Sequence, residues 1–201
     1  MTEKSTTEMT DEEAKLIDTW IYVLLASNDF ETISGRVRFT KEFFLMTIRH
    51  LPEVFDAAQF YPYHFGPYST KLGVRMNELK NERIILAEYK NKDWQYSLSQ
   101  VGQERAKEII SHVNEDLLKK IASIKRKNKN LSLKELLRDI YLYYEEYATR
   151  SIIASDIIYE KLDPKVLIII DDTDLVTTDT TRKKLTLEGE DAQKVLELIK
   201  N

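Results

Sequence analysis

The feature that most constrains this chain is the order of its elements between residues 11 and 100. Three segments carry apolar residues at helical spacing, and two short strand-like runs follow them. The two runs span residues 84–86 and 94–98, and the polar residues 88–93 between them suit the tip of a hairpin. This order predicts three helices packed against a small hairpin and does not fit a large sheet.

The first two helices are defined by their apolar positions and end signals. Residue Thr10 or Asp11 can cap the first helix, which is predicted to end near residues 27–29. The second helix is predicted over about 40–51, where Pro52 ends it. Its apolar residues lie on more than one side, which is typical of a central helix; they are Phe39, Phe43, Phe44 and Ile48.

An aromatic run at residues 60–68 precedes the third helix, which is predicted over about 68–81. Gly66 can adopt a positive φ, and Pro67 is suited to the first turn of a helix. Three helices followed by a hairpin is the order of a winged helix. The predicted fold class is therefore mainly α with small β-hairpins (α+β), with a winged helix-turn-helix at residues 11–100 and a disordered tail at residues 1–10.

Ser99 is expected to cap a long helix over residues 101–130, which connects the winged helix to the rest of the chain. Along this helix an apolar stripe recurs at spacings of three and four. Such a stripe predicts a packing seam with a partner helix, and hence a homodimer. The predicted dimerisation residues are Ala106, Ile110, Val113, Leu117, Ile121 and Ile124.

Residues 131–201 form a C-terminal α/β segment. Ser132 caps a predicted helix, a shorter helix follows at 151–162, strands are expected at 166–170 and 183–187, and a last helix at 191–200. Residues 98–102 and 185–189 share a pattern in which a hydroxyl residue follows a strand and caps a helix. A second interpretation is therefore a degenerate second winged-helix unit, with residues 171–181 as its wing.

Several short patterns resemble a family of prokaryotic winged-helix proteins that includes the YwgA-like proteins and the Panacea (SocA-like) antitoxin domain. The matching patterns are Arg38-Phe39-Thr40-Lys41, the aromatic run into Gly66-Pro67-Tyr68-Ser69, Leu79 with Ile84-Ile85, and the close Leu98-Ser99-x-x-Gly102. The resemblance covers about half of the chain. It implies a winged helix with a long connection between its second and third helices, and a regulatory or antitoxin-like binding function.

The winged-helix geometry predicts a surface that contacts double-stranded DNA. In such folds the third helix enters the major groove and the hairpin tip touches the flanking backbone. Arg75 is then placed to read a guanine edge, and the lysines to neutralise phosphates. The predicted DNA-binding residues are Ser69, Thr70, Lys71 and Arg75 on the helix, Lys90, Asn91 and Lys92 at the wing, and Arg36, Arg38 and Lys41 beside them.

A second hypothesis is a protein-protein interaction module, antitoxin-like, that does not contact DNA. The net charge of −4 gives the chain no overall attraction to nucleic acid. Glu78 lies on the same predicted helix surface as Arg75, where its carboxylate repels phosphate. The sequence leaves the choice between a DNA partner and a protein partner open.

Enzymatic chemistry is not expected, and no cofactor or metal is predicted. The chain has no cysteine, which excludes disulfides, cysteine zinc sites and thiol catalysis. Residues 168–176 imitate the Asp-x-Asp-x-Val motif of haloacid-dehalogenase-type phosphatases, but only 25 residues follow Val176, too few for the domain this chemistry needs. His50, His64 and His112 stand apart from other ligand types.

Targeting signals are also not expected. The N-terminus is polar and acidic, without the apolar segment of a signal peptide. The longest apolar run, residues 166–170, is far too short to span a bilayer. The prediction is a cytoplasmic protein with no membrane contact.

Overall fold

The structure is a computed structural model that describes residues 9–159, 165–173, 180–188 and Lys194. It is mainly helical, with small antiparallel sheets. The helices are α1 (Asp11–Phe30), α2 (Arg36–His50), α3 (Pro52–Ala58), α4 (Thr70–Asn81), α5 (Gln100–Ser111), α6 (Glu115–Lys129), α7 (Leu133–Tyr143) and α8 (Ala154–Tyr159), with a 3₁₀ turn at Glu145–Tyr147. The strands are β1 (Ile33–Ser34), β2 (Tyr61–Tyr63), β3 (Gly66–Tyr68), β4 (Ile85–Lys90), β5 (Asp93–Leu98), β6 (Lys165–Thr173) and β7 (Thr180–Glu188).

Hydroxyl side chains start four of the helices, as the sequence predicts for three of them. Thr10 and Ser132 form capping boxes with the glutamates three residues later, at the starts of α1 and α7. Ser99 accepts a hydrogen bond from the amide of Gly102 and begins α5. Ser69 caps α4 in the same way. These local hydrogen bonds satisfy amides that have no partner within the helix.

Helix α2 is the central helix, as its apolar pattern predicts. Every residue from Phe39 to Thr47 is buried, and α2 packs against α3, α6 and α7. The helix begins at Arg36, earlier than predicted. Pro52 follows its end but also opens α3, a helix that the sequence interpretation missed, because proline is favoured at the first helical position.

The aromatic run folds into the small β2–β3 hairpin. Gly66 has a φ of 81°, as predicted, and a side chain there would collide with the ring of Tyr141, 2.8 Å from the ideal Cβ position. The expectation for Pro67 is wrong, since it lies in β3 and not in the first turn of α4. Proline is tolerated in this hairpin because its position does not require a backbone amide that donates to the opposite strand.

The predicted hairpin at residues 84–98 is present as β4 and β5. Their register runs from Ile85 opposite Leu98 to Lys90 opposite Asp93, so the turn contains only Asn91 and Lys92. Both turn residues have a positive φ, 54° and 65°, as a tight two-residue turn between twisted strands requires. Strand β1 pairs with β5 and completes a three-stranded sheet in the order β1-β5-β4.

The predicted long helix at residues 101–130 is wrong, because the structure contains two helices there. Helix α5 ends at Ser111 and α6 begins at Glu115. The side chain of Asn114 caps α6 by accepting hydrogen bonds from the amides of Asp116 and Leu117, and acidic residues occupy the first turn. Asparagine followed by two acidic residues is a helix-start signal that the apolar stripe concealed.

The prediction that this apolar stripe forms an exposed dimerisation seam is also wrong. Ala106, Ile121 and Ile124 are buried in the core of the chain, and both α5 and α6 pack against α1. The other three residues of the stripe are partly buried against the same core; they are Ile110, Val113 and Leu117. The partner of this stripe is therefore α1 of the same chain.

Two cations, the buried Lys125 and the partly buried Arg38, bind the carbonyl ends of helices. The Nζ of Lys125 in α6 donates to the carbonyls of Leu24, Leu25, Ser27 and Glu31, where α1 leaves helical geometry. The guanidinium of Arg38 in α2 donates to Asn128 O and, at 2.7 Å, to Leu131 O at the end of α6. Cations at these positions satisfy free carbonyls and favour the negative end of the helix dipole.

The carboxyl group of Glu42 lies near both cations but is deeply buried. Burial raises its pKa to about 7, although the charges of Arg38 and Lys125 oppose this shift. Burial also lowers the pKa of Lys125 to about 8. This cluster therefore fixes three helices to one another through groups whose charges water does not solvate.

The first part of the C-terminal segment shares the core of the preceding residues. Leu136, Leu137 and Ile140 of α7 belong to the same apolar cluster as α1 and α2. Strands β6 and β7 include the predicted strands 166–170 and 183–187 and extend beyond them. The predicted final helix at 191–200, apart from Lys194, lies outside the described residues, as do 1–8 of the tail, 160–162 of the short helix and 174–179 of the suggested second wing.

Among the described residues, no helix is both long enough and apolar enough to cross a membrane.

We expect Lys125→Met to lower the free energy of unfolding by at least about 2 kcal/mol, because it removes the charged donor from four carbonyls at the end of α1. Urea denaturation measures the change. Lys119→Met on the same helix is the matched control: Lys119 is exposed and pairs only with Glu115, so its loss should cost less than about 1 kcal/mol. Equal effects of the two substitutions would show that Lys125 does not hold α1.

Candidate functional site

The ammonium group of Lys71, predicted to face DNA, is buried. Lys71 is 4% exposed, and its Nζ lies 2.8 Å from Glu13 Oε1 of α1. This hydrogen bond lowers the pKa of Glu13. The prediction that Lys71 lies on an outward surface is wrong, because the first turns of α1 cover this side of α4.

The guanidinium of Arg75 is held by two carboxylates. Its Nε lies 2.7 Å from Asp18 Oδ1, its Nη2 binds the other oxygen of Asp18, and its Nη1 binds Glu78. The hydrogen bond that Arg75 donates to Asp18 raises the pKa of Arg75. Arginine recognises guanine or phosphate with the same paired donors. In this structure those donors are occupied by carboxylates of the same chain.

The two hydroxyl residues at the start of α4 are also engaged inside the protein. Ser69 is buried, and its Oγ accepts from the amide of Leu72 and donates to the carbonyl of Ala58. Thr70 Oγ1 shares a hydrogen bond of 2.9 Å with the hydroxyl of Tyr61. The prediction that Ser69 faces a duplex is wrong, because its side chain forms the helix cap and ties α4 to α3.

The three basic residues of α2 do not form one surface. Arg38 binds the end of α6, and Lys41 is buried, so neither side chain lies on the outward surface that contact with DNA requires. Arg36 is exposed, with Nη2 3.4 Å from Gly73 O, and no ion pair involves it among the described residues. Of this group, only Arg36 lies on the exposed surface.

The tip of the β4–β5 hairpin, which the sequence predicts as a wing, is exposed, but its charges are balanced. Lys90 pairs with Glu88. Lys92 is exposed in the turn, and the next residue, Asp93, carries the opposite charge. Asn91 completes the tip. The tip therefore lacks the excess of positive charge that phosphate binding requires.

The face of the β4–β5 hairpin that packs on the core continues beyond the protein body, where it carries an exposed aromatic pair. Tyr89 and Trp94 are cross-strand partners, with ring centroids 5.7 Å apart, and they are 64% and 50% exposed. They lie on the face of the hairpin that also carries Ile85 and Leu98, which are buried in the core. Nearer the body, Tyr96 on the same face packs against Phe39. The pair at the tip is thus an apolar surface that remains open.

A small pocket lies between the first half of α2 and the β2–β3 hairpin. It encloses about 140 Å³ and is mainly apolar. We call it the α2 pocket, and define it by the residues that line it: Arg36, Val37, Thr40, Lys41, Tyr63, Phe65, Gly66 and Tyr68. Tyr63 and Tyr68 pack together on one wall, with centroids 5.2 Å apart. A pocket of about this size accommodates a single benzene ring.

Lys41 is the buried charged residue of the α2 pocket. It is 2% exposed, and its Nζ donates one hydrogen bond, of 2.8 Å, to Pro67 O, between the lining residues Gly66 and Tyr68. Burial lowers the pKa of Lys41 to about 7. No carboxylate among the described residues contributes to this shift or forms an ion pair with Lys41. The pocket therefore contains an amine with unused hydrogen-bonding capacity.

The turn of the β2–β3 hairpin exposes further apolar side chains. Tyr63 and Phe65 are both partly exposed, and Tyr63 stacks on His64 with centroids 4.2 Å apart. His64 O accepts a hydrogen bond from the amide of Ile152, another exposed apolar residue.

Within the described ranges, no three histidine, aspartate or glutamate side chains are grouped as metal ligands would be.

Comparison with known proteins adds no family. No protein-family model matches the chain, and a search of curated proteins finds no significant relative. The resemblance to YwgA-like and Panacea proteins remains an expectation based on the residues quoted above.

The sequence interpretation missed the role of Lys41 but contained a signal for it. Lys41 and Glu42 lie between Phe39 and Phe43 in the helix predicted to be central. Charged residues inside a central helix must meet partners within the protein, because no side of such a helix faces water. Assigning Lys41 to a DNA surface contradicted the central position of its own helix.

A double-mutant cycle should detect the pairing of α4 with α1. We expect Arg75→Met to lower the free energy of unfolding by about 1–3 kcal/mol, since it leaves the partly buried carboxylate of Asp18 unpaired. In the Asp18→Asn background the same substitution should cost at least about 1 kcal/mol less, because the charge it leaves behind is absent. Additive effects in urea denaturation would contradict this role of Arg75.

Proposed function

We propose that this chain is a winged-helix binding module whose partner is another protein, and that it does not bind duplex DNA. The winged-helix assignment is supported by the order α1, β1, α2, α4, β4, β5 and by the sheet order β1-β5-β4. The inserted α3 and the β2–β3 hairpin account for the long connection before α4. The resemblance to antitoxin domains favours the same class of partner.

We favour a protein partner over DNA because the positive charges of Lys71 and Arg75 on α4 are neutralised by carboxylates of the same chain. Both cations predicted to contact DNA bind carboxylates of the same chain, Lys71 to Glu13 and Arg75 to Asp18 and Glu78. Affinity for DNA derives mainly from cations that displace counterions from phosphates. Releasing these two cations for DNA would break three ion pairs and leave the partly buried carboxylate of Asp18 without its partner, which opposes DNA binding.

The open aromatic pair at the wing tip supports a protein partner directly. Tyrosine and tryptophan are the residues that most often dominate binding energy at protein interfaces. Tyr89 and Trp94 already contact each other and form a cross-strand pair on a tight hairpin, so little conformational entropy is lost when a partner packs on them.

The geometry of β4 defines the kind of segment that fits. Strand β4 pairs with β5 on one side, and no strand of the described residues pairs with its other side. An extended segment can add to such an edge through backbone hydrogen bonds. We propose that the partner supplies a strand beside β4, with an apolar side chain next to Tyr89.

The test uses a double substitution at the wing tip. With the partner isolated from native cells and then purified, the Tyr89→Ser/Trp94→Ser protein should bind it about 30-fold more weakly or worse, measured by calorimetry. The matched control is Val101→Ser, because Val101 is another exposed apolar residue, 51% exposed, at the start of α5. The control should bind like the unchanged protein.

Two results would overturn this proposal. The first is equal affinity of the double variant and the unchanged protein for the partner. The second is binding of the purified chain to a mixed-sequence DNA duplex that weakens steeply with salt and is lost in Lys90→Glu/Lys92→Glu. That result would establish the wing as a phosphate-binding surface.

A further inference from the structure

The α2 pocket has a size and shape that favour one ring. Its volume of about 140 Å³ is close to that of cavities that hold benzene, and is below the range of roughly 300–1,000 Å³ that drug-sized ligands occupy. Three aromatic side chains line it: Tyr63, Phe65 and Tyr68. Aromatic rings pack well against one another edge to face or in offset stacks. The walls therefore suit a flat apolar group.

The buried amine at this pocket differs from the other buried lysines of the described residues. Lys71 has a carboxylate partner and Lys125 has four carbonyls. Lys41 has one carbonyl, that of Pro67, although an ammonium group has three donors. A buried charge without a counter-charge is costly, and a carboxylate that contacts the Lys41 ammonium supplies that counter-charge and accepts its unused hydrogen bonds.

We infer that the α2 pocket binds a small carboxylic acid with one ring, in which the carboxylate is attached directly to the ring. The ring lies among Tyr63, Phe65 and Tyr68. The carboxylate accepts hydrogen bonds from the Nζ of Lys41. Arg36 lines the same pocket, is exposed and lacks an ion pair within the described part of the chain, so it supplies a second cation at the entrance.

A free acid fits better than the C-terminal residue of a peptide. Lys41 is 2% exposed, so the carboxylate must enter the protein to reach it. A C-terminal residue would bring its own amide N–H and the preceding chain into an apolar pocket large enough for one ring. That amide would be left without a partner, which costs about 1–3 kcal/mol.

This site is separate from the wing-tip surface of the proposed function and does not depend on it. The pocket is formed by α2 and the β2–β3 hairpin, whereas Tyr89 and Trp94 lie at the end of β4 and the start of β5. Loss of partner binding at the wing would leave the inference about the pocket unchanged.

Benzoate is the probe for this site, and benzamide is its neutral analogue of nearly the same shape. We expect saturable binding of benzoate to the full-length ¹⁵N-labelled protein by nuclear magnetic resonance, with the largest shifts at the amides of Gly66 and Tyr68. Benzamide should bind at least about 10-fold more weakly, the ratio that one charged hydrogen bond provides. N-acetyl-Gly-Phe, with a free C-terminal carboxylate, should bind more weakly than benzoate.

Lys41→Met should remove the preference for benzoate over benzamide, and Lys80→Met is the matched control. Lys80 is an exposed lysine of α4 that does not line the pocket, so this variant should keep the preference. Methionine has a similar volume to lysine and suits a buried position, and the amide spectrum of the variant reports whether the fold is retained.

The pH dependence in the unchanged protein is a second test that needs no variant. Ligand-free Lys41 loses its proton above about pH 7, so benzoate affinity should fall as pH rises, approaching tenfold per pH unit. The other groups lining the pocket that can carry charge are Arg36, Tyr63 and Tyr68.

Four outcomes would overturn the inference. They are no saturable binding of benzoate, equal affinity for benzoate and benzamide, an unchanged preference in Lys41→Met, and tighter binding of the peptide acid than of benzoate. A benzoate affinity that does not vary between pH 6 and pH 9 would likewise contradict a role for the Lys41 ammonium.

Discussion

The structure depends on how a fully enclosed helix accommodates its charged residues. Helix α2 is buried from Phe39 to Thr47, yet it carries Arg38, Lys41 and Glu42. Each charge must therefore be met within the protein. Arg38 meets the carbonyl end of α6, and Glu42 lies near Lys125, which meets the end of α1. The arrangement of α1, α2 and α6 follows from these polar contacts as much as from the apolar core around them.

The same principle separates structural charges from a site that can take a ligand. A cation with several carbonyl or carboxylate partners stabilises the fold and has no free donor for a ligand, as the buried Lys125 and the partly buried Arg75 illustrate. Lys41 has a single carbonyl partner and lines an open pocket. In the amino-acid composition and the net charge, these three residues each count as one cation. The number of partners around each charged group, and its access to a cavity, distinguish them.

The parts of the fold that local chemistry decides were predictable. The caps at Thr10, Ser99 and Ser132 and the hairpin at residues 84–98 are confirmed, because hydroxyl caps and tight turns depend on neighbouring residues. The break at Asn114 was missed since the apolar stripe continues across it. The pairing of Arg75 with Asp18, 57 positions apart, could not be predicted from the sequence because it depends on how α1 crosses α4. Helical periodicity identified the buried faces but not which helix covers them.

The pocket and the wing tip meet at the start of α2. The amide of Gly35 donates to Trp94 O at 2.8 Å, Arg36 lines the α2 pocket, and Phe39 packs against Tyr96 with ring centroids 6.1 Å apart. A ligand beside Arg36 therefore contacts the turn that also supports the aromatic pair. Contact alone does not transmit a signal, since a ligand shifts an equilibrium only by its difference in affinity for two states. The ion pairs of α4 and the carbonyl contacts of Lys125 hold the rest of the body in one arrangement. The first turn of α2, exposed at Arg36, is the segment that the pocket and the hairpin share.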